Sequence, residues 1–428
     1  MGEDPELIGL AMIPVLAAAA QVLAVRIGMP SIVVLLAVGF LAGIPSWGID
    51  PDALLGDALF PFVSLAVAVI LFEGGLTLRL SEVRGGAHRH VRRLLTVGIP
   101  VTWALTAVLV ALLLDVSADV AILMGAILVV SGPTVVGPLL QFIGVRGRTD
   151  SILRWEGILI DPIGAIVAVL CIHALSAGRS FESMASVLGF AASVSWGALV
   201  GVLAGFALVY LLSMARLARS LQAVVTLASV LGAFIAAGAL REDSGYVSVV
   251  LMGAILANQS RVATEHIHEF KETIGLLLTG VLFIVLSARI TPSQLLDAGP
   301  PALLLVAAII LLVRPISALV ATAGGDLSWR ERIFISAMAP RGIVAASTAS
   351  IAAISLAETE LLGLDLIVPT VFIVIVGTVT VYGLASPLLA RAFGLAGTPE
   401  PEGLAALAGL IEEDPRHGED SEEDTTRR

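Results

Sequence analysis

The chain has 428 residues, of which 57% are hydrophobic and 14% charged, with a net charge of −11. A soluble globular domain is about 45–50% apolar, whereas this chain carries apolar runs of roughly 18 or more residues along most of its length. This excludes one large soluble domain and predicts an all-α polytopic membrane protein. The negative charge comes mainly from residues 397–428, and no nucleic-acid partner is expected.

Charged and Pro/Gly-rich joints divide the chain into thirteen predicted transmembrane helices. The N-terminal sequence MGEDPEL is acidic where a secretory signal would be basic, so the first apolar run is interpreted as a mature helix. The predicted spans are residues 8–27, 31–45, 59–78, 94–114, 118–143, 152–176, 186–214, 221–240, 245–258, 272–290, 302–323, 331–355 and 366–392.

The loop charges predict how the helices are oriented, because Lys and Arg are retained on the cytoplasmic side of a membrane. Every second joint is basic, and the joints between them are acidic or neutral apart from Arg179 and Arg241. The pattern predicts a multi-pass protein of the cell (inner) membrane, with the N-terminus outside and the C-terminus cytoplasmic. The basic joints hold Arg26, Arg84, Arg89, Arg92, Arg93, Arg146, Arg148, Arg216, Arg219, Arg261, Lys271, Arg330 and Arg332.

Two proline motifs repeat at a constant offset. LIDP at 159–162 and LIVP at 366–369 are 207 residues apart, as are Pro133 and Pro340. The odd number of spans between the copies reverses their direction, which predicts an inverted-topology repeat with the binding site near the membrane midplane. The predicted organisation is a transmembrane domain, 1–396, with repeats at about 8–176 and 221–392 joined by a linker helix at about 186–214.

Few ionisable residues lie well inside the predicted spans, and each costs about 2.5–3.5 kcal/mol at a helix centre on insertion scales. Asp161 stands out because the equivalent position in the second copy is Val368. A purely structural role predicts similar residues in both copies, so the asymmetry favours a single ion site at Asp161. The others are Glu73, Glu156, Arg314 and Arg341, with His173 interpreted as a core residue.

Glu156 and Asp161 are five residues apart, which separates them by about 140° around a helix. They therefore face different neighbours and are expected to have different roles. Glu156 and Arg341 each follow shortly after the predicted cytoplasmic entry of their helices, which predicts a structural ion pair between them. Arg314 is expected to snorkel or to stabilise a kink rather than to bind a ligand.

Two motifs predict helix breaks at matching places in the repeats, because proline removes a backbone donor and clashes with the preceding turn. Freed carbonyls and the ends of half-helices can coordinate a small cation or offset buried charge. The sequence thus predicts a crossed pair of discontinuous helices. The motifs are Ser131-Gly132-Pro133-Thr134 and Ala339-Pro340-Arg341-Gly342.

Two other features leave alternatives open. Glu73, followed by glycines in LFEGGLTLR, is either a carboxyl kept protonated by burial or a part of the ion site. Gly197, Gly201 and Gly205 form a small-residue stripe that predicts close helix packing, either within one subunit or between subunits.

In order along the chain, LFEGGLTLR, the Gly132-Pro133 break, EGILIDP, SGYVSVVLMGAILAN and APRGIVAAS resemble the monovalent cation/proton antiporter family, in the NhaP-like branch that includes the sodium/proton exchangers. The resemblance covers about residues 5–395. It implies thirteen helices, a homodimer, and a six-helix core that moves and carries the crossed helices. It also implies that Asp161 binds cation and proton in turn, that Glu156 and Arg341 form the core ion pair, and that Glu73 contacts the cation.

The chain departs from that family at the expected site. Ile160 stands where the family usually has Asn or Asp, the break lacks the usual Thr-Asp before its proline, and Gly157 replaces a hydroxyl residue. Fewer oxygens suit a larger, less tightly held cation, so K⁺ is as consistent with the sequence as Na⁺.

We therefore expect the protein to be an antiporter and not an enzyme. No cofactor and no catalytic residue are expected. A monovalent cation and H⁺ compete for Asp161, and oxygens of Ser131, Thr134 and Glu73 complete the cation shell. The alternative is a cation channel or regulated K⁺ efflux pore on the same scaffold. An intramembrane aspartyl protease would need a second aspartate inside the spans.

The C-terminal segment 397–428 is acidic and is expected to be disordered. A cytoplasmic regulatory domain beyond it is a further hypothesis.

Overall fold

The computed structural model describes residues 5–27, 31–44, 49–78, 87–145, 147–176, 184–214, 219–241, 244–261, 265–357 and 359–395. Within these ranges the secondary structure is helical and contains no β-strand. The acidic segment 397–428 lies outside the described residues, as do the side chains of Thr134 and His173.

The helices are labelled here in chain order. They are α1 (Pro5–Ile27), α2 (Ser31–Ala42), α3 (Pro51–Leu55), α4 (Leu59–Leu76), α5 (Ala87–Arg93), α6 (Ile99–Leu113), α7 (Ala118–Ile127), α8 (Pro133–Ile143), α9 (Arg148–Ser176), α10 (Met184–Met214), α11 (Arg219–Gly238), α12 (Ser244–Asn258), α13 (Glu265–Ala288), α14 (Pro292–Ala308), α15 (Arg314–Thr322), α16 (Trp329–Ser336), α17 (Ile343–Ser355) and α18 (Ile367–Phe393).

The helices match the predicted polytopic fold class. Among the described residues, eight helical segments are long and apolar enough to cross a membrane, and five further apolar helices have 10–17 residues. Two predicted spans, 118–143 and 331–355, each correspond to a pair of short helices rather than to one continuous helix. Thirteen crossings and the inverted repeat therefore remain predictions.

The first half of each interrupted pair begins at a serine cap. The Ser117 side chain accepts a hydrogen bond from the backbone of Val120 at the start of α7. Ser328 and Glu331 form a capping box at the start of α16. Such caps satisfy amide groups that a helix start leaves without partners, and each contributes about 0.5–2 kcal/mol. They help to define helices of only eight and ten residues.

Two π-helical turns add a second structural parallel between the halves. The turn Leu94–Gly98 joins α5 to α6, and the turn Ile309–Val313 joins α14 to α15. Each is followed by a proline at the second helical residue, Pro100 and Pro315. Proline cannot donate a hydrogen bond, and a π turn accommodates the interrupted ladder. These features are 215 residues apart, eight more than the 207-residue offset of the proline motifs, so they do not share one register with those motifs.

The helices pack in two groups. Helices α1, α2, α4 and α10 to α13 contact one another, and α5 to α9 with α14 to α18 form the other group. Helix α9 packs on members of both, because it contacts α7, α8 and α17 as well as α4, α10 and α12. It is therefore placed to carry a functional side chain between the two groups.

The glycine stripe of α10 packs within the chain. A methyl group on Gly197 would overlap the carbonyl oxygen of Ser244, and one on Gly201 would overlap that of Ser248. The α10 and α12 backbones thus approach so closely that only glycine fits at these positions. Of the two alternatives left by the sequence, the structure assigns this stripe to packing inside one subunit.

Gly201→Ala is expected to destabilise the protein by about 1–3 kcal/mol, because the added methyl forces two packed backbones apart. Gly232→Ala on α11 is the matched control, since a methyl there meets nothing within 4 Å. That change should be neutral or stabilise by up to about 1 kcal/mol through helix propensity. Thermal unfolding in detergent compares the two. Equal melting temperatures for both variants would contradict the close approach of α10 and α12.

Candidate functional site

Two interrupted helices meet in the middle of the molecule. The first break separates α7, which ends at Ile127, from α8, and the second separates α16, which ends at Ser336, from α17. The sequence motifs at 131–134 and 339–342 lie at these breaks. A methyl group on Gly342 would overlap the Cα of Gly132, so the two non-helical backbones touch. This contact requires glycine at position 342.

Asp161 lies beside the first break. Gly157, Asp161 and Gly164 are spaced by four and three residues and therefore share one face of α9. At both glycines this face packs against the break: a methyl on Gly157 would lie 3.7 Å from the carbonyl oxygen of Ser131, and one on Gly164 would overlap the side chain of Val130. The Asp161 side chain therefore faces residues 130–131.

Asp161 is only 1% exposed, and its Oδ1 has no hydrogen-bond partner among the described residues. The charged side chain that interacts electrostatically with it is Arg341, in the second break. A buried carboxylate with an unsatisfied oxygen is costly unless it is protonated or bound to a cation. Protonation or binding of a cation would each remove this cost at Asp161.

Arg341 extends from the second break into the first. Its Nη1 donates to the carbonyl oxygens of Val129 at 3.0 Å and Val130 at 3.5 Å. Its backbone N–H donates to the Thr378 hydroxyl on α18, at 3.1 Å. The two carbonyls lie in the first break, just beyond the C-terminal end of α7, where the helix dipole is negative and favours a cation. Arg341 therefore ties together both breaks and α18.

Glu156 is paired with Arg314, not with Arg341 as predicted. Nη1 and Nη2 of Arg314 donate to the two carboxylate oxygens of Glu156, at 2.5 and 2.8 Å. The Nε of Arg314 donates to the carbonyl oxygen of Ile335, at 3.1 Å. Arg314 is 6% exposed, so the expectation that it snorkels or only stabilises a kink is also wrong. The bidentate geometry makes this the strong, oriented form of an ion pair.

The wrong pairing has a physical cause. The prediction paired Glu156 with Arg341 because both lie near the predicted cytoplasmic end of their helices. That position does not determine the direction in which either side chain points. Arg341 lies in a non-helical segment, and Arg314 follows a π turn whose extra residue rotates the rest of the helix by about 100°. The sequence contained one signal of this π turn. Pro315 is the second residue of the helix that follows it, as Pro100 is after the other π turn.

The other predicted site residues are less closely grouped. Ser131 is buried in the first break, next to the face of α9 that carries Asp161. The Thr134 side chain lies outside the described residues. Glu73 lies on α4, and its carboxylate rests against Gly275 of α13, where a methyl group would overlap it. Glu73 therefore faces a helix of the group that contains α4, rather than the meeting point of the breaks.

A second charged cluster anchors the start of α9. Nε2 of buried His90 lies 2.8 Å from Oδ1 of Asp326, and Arg148 donates to the same oxygen at 2.5 Å. Hydrogen bonds from Arg148 and His90 hold the pKa of the Asp326 carboxyl below its ordinary range. The cluster joins α5, α9 and the loop between α15 and α16, and so helps to fix the helix that carries Asp161.

The family of transmembrane sodium/hydrogen exchangers matches residues 11–392. The K⁺/H⁺ antiporter NhaP2 of a Shewanella species (strain MR-4) is 28% identical over 324 residues, which are 74% of this chain and 55% of that protein. A probable Na⁺/H⁺ antiporter of Methanocaldococcus jannaschii is 23% identical over 343 residues, or 77% of this chain and 80% of that protein. This chain thus spans about half the length of the Shewanella relative.

A solved structure has the same fold. The sodium proton antiporter MjNhaP1 from Methanocaldococcus jannaschii at pH 8 matches with a TM-score of 0.80 and 21% identity, over 91% of this chain and 98% of that one. This confirms the predicted all-α polytopic fold class. The match to the family extends over nearly all of the described helices, and it confirms the resemblance drawn from the motifs. The chain belongs to the sodium/hydrogen exchanger family.

Proposed function

We propose that this protein is a secondary antiporter that exchanges a monovalent cation, Na⁺ or K⁺, for H⁺, and that both ions compete for Asp161. The observation that carries the proposal is the buried, unpartnered Oδ1 of Asp161 at the meeting point of two helix breaks. Membership of the exchanger family and the antiporter names of the relatives support the same activity.

One carboxylate couples the two ions because its occupancy is exclusive. A bound cation and a bound proton each cancel the charge that burial makes costly, and the carboxylate has no further charge for a second ion. If Asp161 is the one titrating group, each cation moved one way is matched by one proton moved the other way. Exchange is then electroneutral, and the membrane potential does not drive it.

Oxygens near Asp161 complete the proposed cation site. The carbonyl and hydroxyl oxygens of Ser131 are the nearest candidates on the first break, and Thr134 would contribute from α8. The Val129 carbonyl is occupied by Arg341, and Ile160 brings no oxygen. A sparse shell of this kind leaves both K⁺ and Na⁺ as candidate substrates. The contact of Glu73 with Gly275 supports a role for Glu73 away from the immediate shell.

Transport also requires that the site open to each side in turn. The position of α9 between the two helix groups supports alternating access by movement of one group relative to the other. We further propose membrane insertion with the N-terminus outside and the C-terminus cytoplasmic, on the strength of the arginine pattern. Exposed apolar side chains along α10, among them Leu203, Phe206 and Tyr210, suit lipid or the second copy of a homodimer.

The test is exchange by the full chain in proteoliposomes with a trapped pH indicator. Outward gradients of K⁺ or Na⁺ should drive proton movement, with choline as the control, and the relative rates for K⁺, Na⁺ and Li⁺ identify the preferred cation. With the same K⁺ concentration on both sides in every sample, addition of valinomycin clamps the membrane potential and should leave the rate of Na⁺-driven exchange unchanged. The channel alternative has no support among the relatives, and it predicts cation flux that needs no opposing proton movement. Flux of that kind would overturn the proposal.

A further inference from the structure

One face of α18 carries hydroxyl groups next to Arg341. Thr378, Tyr382 and Ser386 are spaced by four residues and so follow one another along this face. Thr378 is already engaged, since its oxygen accepts the Arg341 backbone N–H and its hydroxyl donates to the carbonyl of Val374. Tyr382 lies one turn farther along. Its position relative to Arg341 is therefore set by a hydrogen bond made on the same helix face.

Tyr382 and Arg341 each carry a buried polar group without a partner. The Tyr382 side chain is 2% exposed, and neither its hydroxyl nor the Nε of Arg341 has a hydrogen-bond partner among the described residues. Unpaired buried groups are few in folded proteins because each loses its bonds to water. These two are chemically complementary: Nε–H can only donate, and a phenol oxygen can accept.

The electrostatic surroundings connect the same two groups. Tyr382 lies within electrostatic range of both Arg341 and Arg314, and the two guanidinium groups repel each other. Arg341 is therefore attracted by the carboxylates of Glu156 and Asp161 and repelled by Arg314. When an ion neutralises Asp161, the attraction between Asp161 and Arg341 is lost, whereas the interactions of Arg341 with Glu156 and Arg314 remain.

We infer that Tyr382 is a positioning residue for Arg341, whose Nε–H it accepts when Asp161 is loaded with an ion. In the ion-free form Arg341 is held by the Asp161 charge and by the Val129 and Val130 carbonyls. In the loaded form, the phenol oxygen replaces the lost attraction. The bond stabilises the loaded site, so Tyr382 increases the affinity for the cation without touching it. This inference rests on the proposed function.

Tyr382→Phe removes only the hydroxyl and keeps the ring that packs in the core. A hydrogen bond to a charged group contributes enough that its loss should raise the KM for the cation about tenfold, measured at a pH high enough that H⁺ does not compete for Asp161. The maximal rate should stay within about twofold, since an interaction with the bound state and the transition state alike affects KM alone. Ser386→Ala, which removes another unpartnered buried hydroxyl one turn away, should leave both parameters unchanged.

Measuring Tyr382→Phe in a protein that also carries Arg341→Lys distinguishes this role from a general packing defect. Arg341→Lys keeps the positive charge and removes Nε, so adding Tyr382→Phe to it should not raise KM further. A further rise in that background, or an unchanged KM in Tyr382→Phe alone, would overturn the positioning role. If the wild-type chain shows no exchange, the proposed function itself fails, whereas normal exchange with an unaltered Tyr382→Phe variant rejects only this inference.

A spectroscopic readout covers the case in which Tyr382→Phe does not fold. The chain has three tyrosines, so fluorotyrosine incorporated into the wild-type protein gives three fluorine signals. The Tyr382 signal should shift on addition of K⁺ and saturate near the transport KM. Tyr210 is 62% exposed on α10 and serves as the internal reference. Three signals that do not respond to the cation would overturn the inference.

Discussion

Replacing Asp161 by Asn is expected to reduce cation-driven proton movement in proteoliposomes to the level of empty vesicles. Asparagine has nearly the same shape, so it preserves the packing of α9 against the first break. It cannot bind or release a proton and carries no charge to hold a cation. Both halves of the exchange are therefore lost together. Elution as one symmetrical peak in size-exclusion chromatography would show that the variant is folded.

Asp150→Asn is the matched control on the same helix. Asp150 forms an i,i+4 pair with Arg154 near the start of α9, away from the breaks, and its loss should leave the exchange rate close to that of the wild type. Asp161→Glu keeps the acid but moves it by one methylene, and it should retain partial activity with an altered KM. Persistent exchange by Asp161→Asn would remove Asp161 from the mechanism.

Much of the fold could be predicted from the sequence because membrane helices are long apolar runs and their ends are marked by charge and proline. The breaks followed from Pro133 and Pro340 at equal positions in the two halves, and the structure interrupts both helices there. The π turns at Leu94–Gly98 and Ile309–Val313 were not predicted. They leave hydropathy unchanged and alter only the direction in which later side chains point.

The site could be predicted only where local spacing determines contact. The faces of Asp161 and Glu156 on α9 follow from helical geometry, and the two side chains do meet different neighbours. The partner of Glu156 lies on another helix, and its choice depends on the rotation introduced before Arg314. Tyr382 was missed although Thr378, Tyr382 and Ser386 recur every four residues. That spacing of hydroxyl groups in an apolar helix was the available signal.

Arg314→Met is expected to destabilise the protein by about 3–5 kcal/mol, because it leaves the buried Glu156 carboxylate without its bidentate partner. Glu156→Gln should destabilise by a similar mechanism, since Arg314 is then the unpaired charge. The double variant Glu156→Gln with Arg314→Met removes both charges and should recover most of the loss. Thermal unfolding of the three variants in detergent measures the coupling between the two positions.

Thermal unfolding of a double variant at Glu156 and Arg341 tests which arginine pairs with Glu156. If Glu156 pairs with Arg314, the double variant Glu156→Gln with Arg341→Met should show no recovery, because Arg314 then stays unpaired and the Val129 carbonyl also loses its donor. If the Glu156→Gln/Arg341→Met double variant regained stability and the Glu156→Gln/Arg314→Met variant did not, Glu156 would pair with Arg341, as the sequence predicted. The outcome also bears on the proposed mechanism: with Glu156 bound to Arg314, the Arg341 guanidinium is bonded to the Val129 and Val130 carbonyls, and we propose that it responds to the charge on Asp161.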